Sequence, residues 1–217
     1  VTQAMREGAM GVGSSLIYAP ANFATTEELA ALATEAARAG GGYISHLRSE
    51  AGELLSAVRE LIDIAELSGA KAEIYHLKAA GEANWHKLSQ AIALVEGAQA
   101  RGLSVTANVY PYTQAATGLD AVMPPWVQLG GIKPWVERLK DPEIRASVLK
   151  EMRDPSPDWE NLLLDGPERA LLLGVRNRKL KGYVGMTLAE IAKKRGVSAE
   201  DAAIDLVIAD GGRLSVA

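Results

Sequence analysis

The spacing of its apolar runs restricts this 217-residue chain more than any other feature. Four short runs suited to strands end at about Leu16, His46, His76 and Asn108, in steps of 30, 30 and 32 residues. Helical segments with start and stop signals separate them. Thr25-Thr26-Glu27-Glu28 reads as an N-cap with acidic first-turn residues, and Gly40-Gly41-Gly42 ends the helix that follows. A second helix spans Glu53 to Ser68 and closes at Gly69; a third, capped by Asn84, reaches Gln99 and ends near Gly102. A parallel βαβ unit takes about 30 residues, so each strand should neighbour the next in one parallel sheet. Even steps without a topological break favour a barrel over a doubly wound sheet. The fold class expected is α/β: a partial (β/α)8 TIM-type barrel of about four consecutive βα units, with a mixed α+β insertion.

The second half changes character. Pro124-Pro125, Pro134, Pro142, Pro155 and Pro157 fall within residues 120–160, together with three of the four tryptophans. A short helix from Pro142 to about Met152 interrupts them. Leu171–Val175 and Gly182-Tyr183-Val184 suit short strands, and Leu188–Arg195 and Glu200–Ala209 suit helices. The division expected is therefore a partial barrel over 1–119, an insertion or cap over 120–212, and the start of a further, truncated barrel strand over 213–217. With Val1 at one end and a strand just begun at the other, the chain is expected to be an internal piece of a longer protein.

Composition narrows the classes of function. The chain is 48% hydrophobic and 23% charged, with a net charge of -4, so it can bury a core and offers no basic field for nucleic acid or an anionic membrane. It has no cysteine, which removes disulfides and thiol nucleophiles and fits a reducing, cytoplasmic setting. No apolar run approaches the roughly 18–20 residues of a membrane span.

Three histidines are present. His46 and His76 end consecutive strands, at the rim where barrel enzymes build their sites. Two neutral imidazoles on adjacent strands suit zinc, although two ligands are too few by themselves. Burial at strand ends with hydrogen bonds to backbone explains them as well. His86, in the first turn of the helix at Asn84, faces the positive end of a helix dipole and is expected to be a surface or packing residue.

Tyr43-Ile44-Ser45-His46-Leu47-Arg48-Ser49-Glu50 and Tyr75-His76-Leu77-Lys78-Ala79-Ala80-Gly81 resemble two motifs of the N-acyl-D-amino-acid deacylases of the amidohydrolase superfamily. Met5–Gly11 with Leu16-Ile17-Tyr18 is similar to the preceding barrel strand of that family, and Val105–Thr113 to the following one. Gly182–Gly185 with Thr187–Ala192 is similar to its late insertion. The resemblance runs in order along essentially the whole chain. It implies a zinc-dependent barrel enzyme that hydrolyses the amide of an N-acyl-D-amino acid, a small-molecule substrate. His46 and His76 would be zinc ligands, and Lys78 and Tyr110 would lie in the substrate site, where a cation and a phenol can hold a carboxylate or polarise an acyl oxygen. Arg48 and Glu50 belong to the motif, and a salt bridge fixing the loop explains them equally well. The family's first-strand histidines and its further, usually Cys, ligand would precede Val1, and its general-base Asp would follow Ala217. The isolated chain is accordingly expected to be inactive and poorly soluble. Family members often carry Asp where Asn108 stands, and Asn cannot supply that charge.

Rival readings keep the barrel but change the substrate to a cyclic amide, as in hydantoinases and dihydropyrimidinases, or drop catalysis for a metal-free binding module. Gly11-Val12-Gly13 lacks the third glycine of a dinucleotide loop, and Ser14-Ser15 makes no G-x-S-x-G elbow. Ile191–Ser198 imitates a helix-turn-helix, but the following helix carries Glu200, Asp201, Asp205 and Asp210 with no Lys or Arg. Those carboxylates would repel phosphates, and Ser198 with Asp201 explains the acidic start as a cap.

Overall fold

Strands and helices alternate through the first 111 residues of the chain, whose computed structural model describes residues 1–154, 159–212 and 214–217. After a short helix α1 (Thr2–Arg6) come β1 (Gly11–Ser15), α2 (Thr26–Arg38), β2 (Gly42–His46), α3 (Leu54–Ser68), β3 (Lys71–Ile74), α4 (Leu88–Ala100) and β4 (Val105–Ala107). The four strands form one sheet in the order β1-β2-β3-β4, every pair parallel. Thr25 caps α2 by accepting the Glu28 N–H, and Gly69 ends α3 in the left-handed region at φ 67°. Gly11 lies opposite Gly42. A side chain at Gly11 would put its Cβ 2.2 Å from the Gly42 carbonyl oxygen, so this close strand pairing requires glycine.

The helices cover one face of this sheet. Tyr43, Ala72 and Val105 share a row of the sheet, and they are buried with Leu29 and Ala33 of α2, Leu54, Val58 and Leu61 of α3, and Ala91 and Val95 of α4. The neighbouring row on the other face, Gly13, Ile44, Glu73 and Thr106, stays open, with Ile44 36% exposed. Tyr43, Ser14 and Ser45 bury their hydroxyls by bonding one another: Ser14 Oγ is 2.7 Å from Tyr43 Oη and 2.8 Å from Ser45 Oγ. Asn84 is not the expected helix cap. A 3-10 turn over Glu82–Lys87 precedes α4, whose cap position is Lys87, and Asn84 instead accepts from Lys87 Nζ at 2.8 Å. His86 is exposed, in keeping with its reading as a surface residue.

Residues 112–217 form a second unit. It contains β5 (Thr117–Gly118), α5 (Ile132–Lys140), α6 (Pro142–Arg153), β6 (Leu172–Gly174), α7 (Leu188–Arg195), α8 (Ala199–Asp210) and β7 (Ser215–Val216). Its core gathers Trp135, Leu139, Met152, Leu172, Ile191, Ile204 and Leu206. Three expectations differ here. Residues 112–119, grouped with the barrel by sequence, stand in this unit because Thr117–Gly118 pairs with β7. The segment 213–217, read as a new barrel strand, supplies β7, which lies antiparallel between β5 and β6; Arg213 itself falls outside the described residues. Gly182-Tyr183-Val184 is not a strand, since a 3-10 helix covers Arg178–Tyr183 and Asn177 caps it. Pro155 and Pro157 also fall outside the described residues.

Helices α7 and α8 match their sequence boundaries within a residue. Thr187 and Glu190 form a reciprocal capping box, and Ser198 accepts the Asp201 N–H. The carboxylates of the helix-turn-helix look-alike are bound within the fold. Arg145 reaches Asp201 at 2.7 Å and Asp205 at 2.8 Å, and Arg195 reaches Asp205 at 2.9 Å. No helix among the described residues is long and apolar enough to cross a membrane.

Candidate metal and substrate site

β2 and β3 run side by side with Ser45 opposite Ile74, so the chain leaves both strands at the same edge of the sheet. His46 is the last residue of β2, and His76 lies two residues beyond β3. Their rings meet edge to face, with centroids 4.5 Å apart and planes at 82°. Tyr18 packs edge-on against His46 at 5.4 Å, and Tyr75 lies 4.2 Å from the His76 ring. Apolar and aromatic surroundings strip water from both imidazoles. Burial pushes His46 down to about 4, and burial with the nearby Lys78 charge lowers His76. Both rings are therefore neutral at pH 7, the form in which a histidine donates a lone pair to a metal. His46 Nδ1 sits 3.0 Å from the Leu47 carbonyl oxygen, a bond that fixes the ring's orientation.

His76 occupies the left-handed region at φ 92°. A residue with a side chain pays roughly 1–3 kcal/mol for that conformation and keeps it only where its surroundings over-determine it. Here they do. The Leu77 N–H donates to the Asn108 carbonyl at 2.9 Å, and Lys78 Nζ donates to the His76 carbonyl at 2.9 Å.

Three of the remaining residues singled out by sequence, Lys78, Glu50 and Tyr110, meet at this edge or beside it. Lys78 Nζ is 2.5 Å from Glu50 Oε1 and 3.0 Å from His76 Nδ1. It also stands 5.5 Å from the centre of the Tyr110 ring. The Tyr110 ring lies 6.4 Å from that of His76, and burial raises its phenol, which stays a neutral donor at ordinary pH. Glu50 Oε1 is also 3.3 Å from His76 Nδ1 and 3.8 Å from His46 Nδ1. His46, Glu50 and His76 thus form a cluster with the composition of a metal site.

Arg48 goes elsewhere. Its guanidinium binds Glu60 of α3 through Nε at 2.9 Å and Nη2 at 2.7 Å, and donates to the carbonyls of Asn22 and Ala24. The hydrogen bond to Glu60 holds the guanidinium still higher than its ordinary value. A salt bridge does fix the loop, but Glu60 is its acid, and Glu50 is left to Lys78. Glu60 escaped sequence reading because nothing local links residues 12 apart on a loop and a helix. Asn108 donates its amide to Glu73 Oε1 at 2.5 Å, a bond that a carboxylate in its place could not make.

No protein-family model matches the chain. Curated relatives do. It is 32% identical over 117 residues to the N-acyl-D-glutamate deacylase of Alcaligenes xylosoxydans xylosoxydans, a match covering 54% of this chain and 24% of that protein. The D-aminoacylase of the same organism matches at 32% over 117 residues with the same coverage. Among solved structures, a D-aminoacylase that defines a subset of the amidohydrolases superposes on 99% of this chain and 35% of its own, with a TM-score of 0.72 and 24% identity. The N-acyl-D-glutamate deacylase of Bordetella bronchiseptica, complexed with zinc and a phosphonate inhibitor, gives a TM-score of 0.72 at 22% identity over 99% of this chain and 36% of its own. Over about half of its length the chain is similar to N-acyl-D-amino-acid deacylases, it shares the fold of the solved D-aminoacylase, and it spans about a quarter of the length of the curated relatives it matches.

Proposed function

We propose that this chain forms part of a zinc-dependent enzyme that hydrolyses the linear amide of N-acyl-D-amino acids, releasing a carboxylate and a free D-amino acid. The observation that carries the reading is the meeting, at one sheet edge, of two desolvated imidazoles and a lysine ammonium. His46 and His76 would hold the zinc, and their neutrality and edge-to-face approach fit that donor role. Zinc, when bound, supplies Lewis acidity toward the amide carbonyl.

Lys78 would bind the carboxylate of the substrate. In this structure its three N–H donors meet Glu50 Oε1, His76 Nδ1 and the His76 carbonyl. A carboxylate would replace the neutral imidazole acceptor, because charge-assisted bonds are roughly twice as strong as neutral ones. Tyr110, held neutral beside that ammonium, would donate its phenol proton to an oxygen of the acyl group. Likewise we read the four parallel strands as consecutive strands of a (β/α)8 barrel; their unbroken order and the helices on one face support this.

The test is turnover by the zinc-loaded full-length protein that carries this chain. N-acetyl-D-amino acids, their L-enantiomers and dihydrouracil would be compared as substrates. Hydrolysis selective for the D-acyl compounds is expected; turnover of the cyclic amide alone, or of none, would overturn the reading.

A further inference from the structure

Glu50 is buried to an extent unusual for a carboxylate, its side chain only 8% exposed. Such a charge is stable only when paired. Lys78 Nζ lies 2.5 Å from its Oε1, while both imidazoles approach the same oxygen from farther away and through Nδ1. The backbone around Glu50 is fixed as well: its carbonyl accepts the Ala80 N–H at 2.7 Å, which ties the loop after β2 to the loop after β3. Glu50 and Lys78 are 28 residues apart, so this contact joins two successive loops at the edge where the histidines meet.

A lysine has a long, flexible stem and a compact charge, and ordering it costs side-chain entropy. Lys78 escapes that freedom because the carboxylate and the His76 carbonyl hold its ammonium from two sides. We propose that Glu50 is a positioning residue: its buried carboxylate anchors the Lys78 ammonium at the sheet edge, so that the cation is presented to substrate in one place. The inference rests on the substrate role proposed above for Lys78, but the anchoring itself can be read without turnover. Glu50 acts through Lys78 and touches neither substrate nor reacting atoms.

Two measurements on the zinc-loaded full-length protein test this. The first is the rate of reductive methylation of Lys78, followed by mass spectrometry against the exposed Lys181 in the same sample. Glu50→Gln is expected to speed Lys78 labelling several-fold and leave Lys181 unchanged; an unchanged Lys78 rate would overturn the anchoring. Glu50→Asp retains the charge on a shorter arm, is the variant of choice if the amide does not fold, and should give an intermediate rate. The second is a double-mutant cycle on N-acetyl-D-amino acid hydrolysis. Glu50→Gln should raise KM about tenfold, the equivalent of one hydrogen bond to a charged group, with a smaller change in kcat. In the Lys78→Met background the same substitution should leave KM within about twofold, because the two residues act as one unit. Equal effects in both backgrounds, or a loss of zinc as large as that caused by His46→Ala, would overturn the proposal. If the wild-type protein turns over no N-acyl-D-amino acid, the deacylase reading fails while the labelling rates still decide the role of Glu50.

Discussion

Lowering the pH should unfold this chain partly through one side chain. Burial pushes His46 down to about 4, against an ordinary value of roughly 6.5. Because the folded value lies below the unfolded one, the unfolded chain takes up the extra proton between them. The stability tied to the neutral ring is complete above about pH 6.5 and is lost as pH falls toward about 4. At about 1.4 kcal/mol per pH unit, roughly 2.5 units amount to about 3 kcal/mol. The imidazole has few ways to escape this, with its side chain 9% exposed, Tyr18 edge-on and Lys78 adding positive charge nearby. Urea unfolding of metal-free protein at pH about 7 and about 4.5, for wild type and His46→Gln, isolates the effect, since the amide does not titrate. The wild type should lose about 2–3 kcal/mol more than the variant over that interval. Parallel losses in the two proteins would refute the claim that His46 is held neutral by burial.

Arg48→Ala should destabilise the first unit by about 2 kcal/mol, because Glu60, 13% exposed, would lose its cation and be left with the hydrogen bond from Thr26 among the described residues; denaturant midpoints check this, and Arg48→Lys should recover only part of the loss, since an ammonium cannot reproduce the fork. Asn108→Asp should cost about 1–3 kcal/mol near neutral pH by setting two carboxylates together with Glu73, and the deficit should shrink as pH falls and the pair takes up a proton; a deficit independent of pH would contradict the contact. Thr187→Ala should cost about 1 kcal/mol by removing the capping box of α7, measured as a shift in the thermal midpoint.

How much of this was legible beforehand depended on whether the signal was local. Thr25, Gly69 and Ser198 announce helix ends because a cap is a contact across three or four residues, and the structure has caps at each. The positions of His46 and His76 followed from the even spacing of strands, which sets where parallel strands end. Long-range pairing was not legible. Arg48 could have met Glu50 or Glu60, and only the packing of α3 beneath the loop decides for Glu60. Helix α5 went unseen because Pro134 sits in its first turn, where proline is tolerated yet reads as a breaker. Tyr183 lies where an apolar triplet suggests a strand, but the Asn177 cap starts a 3-10 helix instead. The strand at Ser215–Val216 was recognised as extended, while its partners, β5 and β6, lie far back in the chain: Val216 pairs with Thr117, 99 residues earlier, and with Leu172, 44 residues earlier.

The central claim is that His46 and His76 act together to hold a metal ion. Zinc affinity of the full-length protein, measured by competition with a chromophoric chelator for wild type, His46→Ala and His76→Ala, tests it most directly. Each substitution should weaken the ion held by these residues by at least about 10–100-fold, the scale on which even the supporting shell of a metal site acts, while the helical signal in circular dichroism stays unchanged. Wild-type affinity in both folded variants would contradict the account.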